Sequence, residues 1–177
     1  SVLHGVTALI LAALAARLGG ARAAIWTAAL YVTLPFVAVG SVMFSTDTVM
    51  APFFAAAVLF FWRAGESRSA RDALLAGACT GAAFMAKYVA FYIFMGAGLA
   101  MLFVPARRIG WRNLALMALA FAVVISPNVI WNLTHQLATV EHTMDNVGWV
   151  RTGAGLNWAS MGEFIVSQFG VFGPLAM

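Results

Sequence analysis

The sequence predicts an all-α fold, a polytopic transmembrane bundle of about seven helices, and three observations carry that prediction. Hydrophobic residues make up 63% of the 177 residues, charged residues only 9%, and the mean hydropathy is +0.93, which describes a chain whose solvent is mostly lipid. Eight of the ten Lys and Arg residues fall into three short clusters: Arg17 with Arg22, Arg63 with Arg68 and Arg71, and Arg107 with Arg108 and Arg112. The clusters separate long apolar runs, the spacing expected when alternate loops stay in the cytoplasm, where positive charge is retained. Helices are the open-ended structure that lipid permits, because an unpaired backbone amide is costly there, and the alternating short strands of a barrel are not seen.

Crossing the hydrocarbon layer takes about 20 apolar helical residues, with about 17–25 as the working range. Residues 2–16 supply the first span, and no basic region precedes them as a cleaved secretory signal would require. Residues 23–43 return to the starting face, with Pro35 in the outer half to kink the helix or mark its end. Residues 48–62 cross back. The stretch 73–104 is interrupted by Lys87 and is too long for one helix, which would also set the second and third Arg clusters on opposite faces. It therefore reads as two spans, 73–86 and 89–104. Gly77 with Gly81 offers a small-residue face for helix packing, and Gly96 with Gly98 a second site of close approach. Residues 113–131, carrying Pro127, form the next span, 132–157 an outer-face loop, and 158–177 a final inward turn. On this path the outer loops hold only Lys87 and Arg151 of the ten basic residues.

The formal charge of +4 thus reports loop orientation and not a nucleic-acid partner, which needs a continuous polar surface of exposed Lys and Arg. Cys79 is the only cysteine, so an intramolecular disulfide and a Cys-rich metal site are excluded. The chain opens Ser-Val-Leu-His and stops inside the apolar run Leu175-Ala176-Met177, which reads as part of a longer membrane protein.

The polar residues of the outer face are few. Lys87 lies between two short spans, where an ammonium must snorkel, pair with an acid or bind an anion, and the sharper reading is the phosphate of a lipid-linked substrate. Asp47, in Ser45-Thr46-Asp47-Thr48, can cap the following helix, pair with Lys87, or help position a metal or sugar. Asn128, Trp131, Asn132, His135, Glu141, His142, Asp145 and Asn146 crowd into a short stretch. His135 and His142 would sit about 10.5 Å apart along one helix, too far to share a metal without a break. Glu141-His142 is a candidate phosphate or divalent-metal contact, set against the commoner surface histidine, and Asn132-Leu133-Thr134 fits the glycosylation acceptor pattern.

Three motifs in order carry a resemblance. The run Pro35 to Gly40 with Ser45-Thr46-Asp47-Thr48 opening a span that ends Phe61-Trp62-Arg63, then Gly77 to Gly81 with Met85-Ala86-Lys87-Tyr88, and finally Ser126-Pro127-Asn128 with Trp131-Asn132, His135 and Thr139 to Thr143, together resemble the bacterial polyprenyl-phosphate-sugar-dependent glycosyltransferases related to protein O-mannosyltransferases. Met85 stands where that family usually has Thr. The resemblance covers nearly all of the chain and the middle of the family's longer transmembrane domain. It implies a GT-C type bundle in the bacterial inner membrane, facing the periplasm, that moves a sugar from a polyprenyl-phosphate donor to a glycan, lipid or protein acceptor.

The resemblance also implies roles. Asp47 becomes a catalytic outer-face acid; Lys87, Tyr88 and His142 become contacts of the lipid phosphate; Glu141 and His142 become ligands of a divalent metal that some relatives use. The family's essential acid in its first outer loop would lie upstream of Ser1, and its C-terminal region beyond Met177, so this chain alone would be inactive. The rival readings are a transporter, whose ionisable groups gather near the midplane of inverted repeats, and a non-catalytic membrane subunit.

Overall fold

The computed structural model describes residues 2–43, 45–104, 109–135, 137–147 and 158–172, and among them every regular element is helical. Arg107, Arg108 and Arg151 lie outside the described residues.

The first helical segment, α1 (Val2–Thr33), is two helices joined across a sharp turn. A straight helix would hold residues 27 positions apart at about 40 Å, yet His4 Nδ1 lies 3.0 Å from the Tyr31 hydroxyl. The chain turns back at Gly20, whose φ of 78° and ψ of −172° only glycine adopts without strain. Residues 2–19 and 21–33 are therefore two antiparallel arms, matching the first pair of expected spans around the Arg17 and Arg22 cluster.

The second of those spans breaks sooner than its apolar length suggests. Leu34 is extended (φ −61°, ψ 130°) because the ring of Pro35 disfavours helical backbone before it, and Pro35 opens a separate short helix, α2 (Pro35–Val42). Next comes α3 (Thr46–Ser67), capped by Ser45, whose hydroxyl accepts from the Thr48 amide at 3.2 Å. It ends at Arg68 in the left-handed region, φ 55°.

Ser69 caps α4 (Ala70–Ala86), which stops at Lys87 in extended backbone (φ −158°, ψ 126°). A 3-10 turn (Tyr88–Phe91) leads into α5 (Tyr92–Phe103), so the break expected at Lys87 is real. Next, α6 (Trp111–Thr134) covers the span expected at 113–131, whereas the segment beyond it departs from expectation. The helix runs through Pro127 without ending, and residues 138–147 of the expected outer loop form a further helix, α7 (Ala138–Val147). Last is α8 (Trp158–Phe172), which rests on α2.

The bundle is held by α4, which packs between α3 and α6. Small residues let the backbones approach: Ala57, Ala64, Ala73 and Ala76 are fully buried, and a Cβ on Gly77 would collide with the Met117 carbonyl. A Cβ on Gly81 would stand 2.7 Å from Val124 Cβ. The order of these contacts, Gly77 to Met117 and Gly81 to Val124, makes α4 and α6 parallel. Gly96 and Gly98 correct the sequence reading, since nothing lies within 4 Å of a Cβ placed on either. Thr46–Ser67 and Trp111–Thr134 are each long and apolar enough to cross a bilayer, as Val2–Thr33 is by length and composition although Gly20 divides it into two arms, and the other expected spans correspond to shorter segments.

Two rims result. At one, Arg17 Nη1 meets Glu66 Oε2 at 2.7 Å, Arg63 Nε meets the buried Asp72 at 3.3 Å, and Asn113 Nδ2 donates to the Arg68 carbonyl at 2.9 Å. These contacts bring Arg17, Arg63, Arg68 and Asn113, the neighbour of Arg112, to one end of the bundle. The opposite rim holds the start of α1, the start of α3 and the end of α4.

Candidate functional site

At that second rim the ammonium of Lys87 lies 2.7 Å from Oδ1 of Asp47. Local structure places each partner. Asp47 falls in the first turn of α3, where the helix dipole favours a carboxylate. The cap itself is Ser45, which frees the Asp47 side chain for Lys87 and settles the choice between capping and pairing. Lys87 closes α4, and its extended backbone aims the side chain away from the helix axis.

Both partners are partly exposed, 45% for Lys87 and 37% for Asp47. Exposed pairs of this kind contribute at most about 1 kcal/mol in water, so the pair opens at small cost. Tyr88 follows directly and packs its ring on Phe84 at 4.7 Å, within an aromatic cluster in which Phe84 and Phe94 both meet Phe121 edge-on. That cluster fixes the turn after Lys87.

The polar segment after α6 is organised by Asn132, which is 4% exposed. Its Nδ2 donates to the Asn128 carbonyl at 2.9 Å, its Oδ1 accepts from the Thr139 amide at 3.2 Å, and its carbonyl accepts from the amides of His135 and Leu137. Asn132 is thus the staple between α6 and α7, and its buried amide is unavailable as a glycosylation acceptor. His135 stacks on Trp131 with centroids 4.3 Å apart, and its Nδ1 donates to the Trp131 carbonyl at 2.8 Å.

His142 is exposed on α7, a helix that packs on the end of α6. Its position is therefore set by other elements than those that hold Asp47 and Lys87. The Glu141 side chain lies outside the described residues. Among the described residues no three His, Cys, Asp or Glu side chains converge.

One group escaped the sequence reading. His4 is 4% exposed, with Nδ1 on the Tyr31 hydroxyl and Nε2 3.4 Å from Thr48 Oγ1. The available signal was a histidine at the outer end of an otherwise apolar run, in a chain that has three.

Comparison with known proteins adds two findings. A family model described as dolichyl-phosphate-mannose-protein mannosyltransferase matches residues 1–131, which include Asp47, Lys87 and Tyr88. A lipid A galacturonosyltransferase of Rhizobium johnstonii is 40% identical over 174 residues, 98% of this chain and 36% of the relative. The chain thus spans about a third of the length of the curated relative it matches. No solved structure matches.

Proposed function

The chain belongs to the dolichyl-phosphate-mannose-protein mannosyltransferase family, and from that premise we propose that it carries the donor-phosphate site of a membrane glycosyltransferase. The donor is a polyprenyl-phosphate sugar that reaches Lys87 laterally from the bilayer. The acceptor is a lipid-anchored glycan of the lipid A type; the 40% identity to a lipid A galacturonosyltransferase supports that class over a protein acceptor. The site faces the periplasm of the bacterial inner membrane, because the rim that gathers arginines is the one retained in the cytoplasm.

In the transfer the acceptor hydroxyl gives its proton to a carboxylate base as its oxygen attacks the anomeric carbon, the bond from that carbon to the phosphate oxygen breaks, and its electron pair leaves with the polyprenyl phosphate. Charge develops on the leaving phosphate, where a preset cation lowers the barrier most. Lys87 supplies it, a compact ammonium suited to a phosphate that arrives without fixed orientation. Asp47 holds the ammonium in place beforehand, and once phosphate replaces it on Lys87 it faces the sugar as a free carboxylate. Tyr88 lines the approach, and His142, on α7 above the rim, meets the headgroup from the aqueous side.

The observation that carries this reading is the ion pair between Asp47 and Lys87 on the rim opposite the arginines. Family membership favours transfer over transport. The test is the complete protein reconstituted in bilayers with a polyprenyl-phosphate sugar and lipid A, followed by transfer of labelled sugar. Transfer that is lost in Lys87→Ala while insertion persists supports the reading. Transfer from a soluble nucleotide sugar, or full activity of Lys87→Ala, overturns it.

A further inference from the structure

We propose that His4 is a positioning residue for the start of α3, and through it for Asp47. The inference deepens the reading of the Asp47 and Lys87 site and rests on it for its kinetic consequence, though its geometry stands alone.

His4 is buried, and its ring nitrogens have partners on the other arm of α1 and on α3. The proton arrangement follows from what each partner is able to do. The Gly40 carbonyl only accepts, so the Thr48 hydroxyl, 3.1 Å away, spends its proton there. Thr48 Oγ1 is left as an acceptor, facing His4 Nε2 at 3.4 Å and the Ser45 hydroxyl at 3.1 Å. In the neutral ring Nε2 therefore carries the hydrogen, and Nδ1 accepts from the Tyr31 hydroxyl at 3.0 Å. The result is a directed chain from Tyr31 through His4 and Thr48 to Gly40. It joins both arms of α1, the end of α2 and the first turn of α3.

Thr48 is the residue after Asp47, and its amide already binds the Ser45 cap. The His4 bracket thus fixes the one turn of α3 that carries the carboxylate. Space at Gly40 is part of the device, since a Cβ there would stand 3.1 Å from His4 Nε2 and 3.5 Å from Thr48 Oγ1. An apolar packing residue in place of His4 would bury comparable area, but it would remove the acceptor that Nδ1 gives the Tyr31 hydroxyl and leave Thr48 Oγ1 held by Gly40 and Ser45 alone, with no tie to α1.

The experiment uses the complete protein in bilayers, with His4→Phe, Thr48→Val and the conservative Thr48→Ser. Two readouts are taken. The first is kinetic: misplacement of a reacting group by about 1 Å costs on the order of a hundredfold, so His4→Phe and Thr48→Val are expected to lower kcat by roughly ten- to a hundredfold with donor KM little changed, and Thr48→Ser to recover most of it. The second is independent of any transfer activity: Asp47→Cys and Lys87→Cys are introduced together and bridged with a short bifunctional thiol reagent. Bridging should be efficient in the parent and in the Thr48→Ser background and fall several-fold with Thr48→Val or His4→Phe. Unchanged bridging in those two backgrounds overturns the proposal, as does a kcat that Thr48→Val leaves intact. If the parent protein transfers no sugar while bridging still depends on His4 and Thr48, the functional reading fails and the positioning role stands.

Discussion

Lys87 Nζ and Asp47 Oδ1 stand 2.7 Å apart across 40 positions of sequence, the end of one helix set against the beginning of another. The contact is made at a partly exposed rim, and on the proposed reading each member needs the other only until a phosphate takes its place.

Removing the cation tests that exchange. Loss of one preset charge at a developing anion typically costs 10²–10³ in kcat, and Lys87→Ala is expected to fall in about that range. Lys87→Arg should recover part of the rate, because the charge survives while the shape does not. Kinetics with a polyprenyl-phosphate sugar check both, with protease protection to confirm insertion.

Asp47→Asn should lower kcat less than Lys87→Ala does. The two residues share one interaction, so the costs of Asp47→Asn and Lys87→Ala should be less than additive in the double variant, by a coupling of roughly 0.5–3 kcal/mol. Strict additivity in a double-mutant cycle would show that the pair does not act as a unit.

The α4 and α6 interface is expected to reject even a methyl group at Gly77, where the Met117 carbonyl occupies the space. Gly77→Ala should destabilise the bundle by about 1–3 kcal/mol through overpacking. The matched control is Gly96→Ala, which meets nothing and should stay within about 0.5 kcal/mol. Thermal unfolding in detergent distinguishes the two.

At the arginine rim Asp72 is buried, with a side chain 8% exposed, and carries Arg63 at 3.3 Å, whereas Glu66 and Arg17 are 30% and 43% exposed. Asp72→Ala should therefore cost about 1.5–3 kcal/mol, the loss of hydrogen bonds to a buried charge. Glu66→Gln should cost under about 1 kcal/mol. Equal costs in denaturation experiments would contradict the burial argument.

Asn132→Ala removes the staple between α6 and α7 without touching Lys87 or Asp47. Amide exchange over residues 135–147 should accelerate markedly in that variant, since the side-chain bonds to the Asn128 carbonyl and the Thr139 amide are gone.

Much of the fold was legible because it depends on local properties. The Arg clusters and apolar runs marked the turns at Gly20, Arg68 and Lys87, and the structure turns at each. Less legible were the details that neighbours decide. Pro35 splits a continuous apolar run into two helices, whereas Pro127 lies inside α6 with no break. Gly77 and Gly81 became a packing seam while Gly96 and Gly98 did not, although all four sit in apolar helices. Asn132 looked like a modification site and is instead a buried staple.

The sequence by itself determined that this is a helical membrane chain with its arginines on alternate turns, because hydropathy and charge act residue by residue against lipid and water. The tertiary structure alone decided which polar groups meet. Asp47 finds Lys87, and His4 finds Tyr31 and Thr48, because close helix packing through small residues brings distant ends of the chain to one rim, and no local pattern encodes that distance.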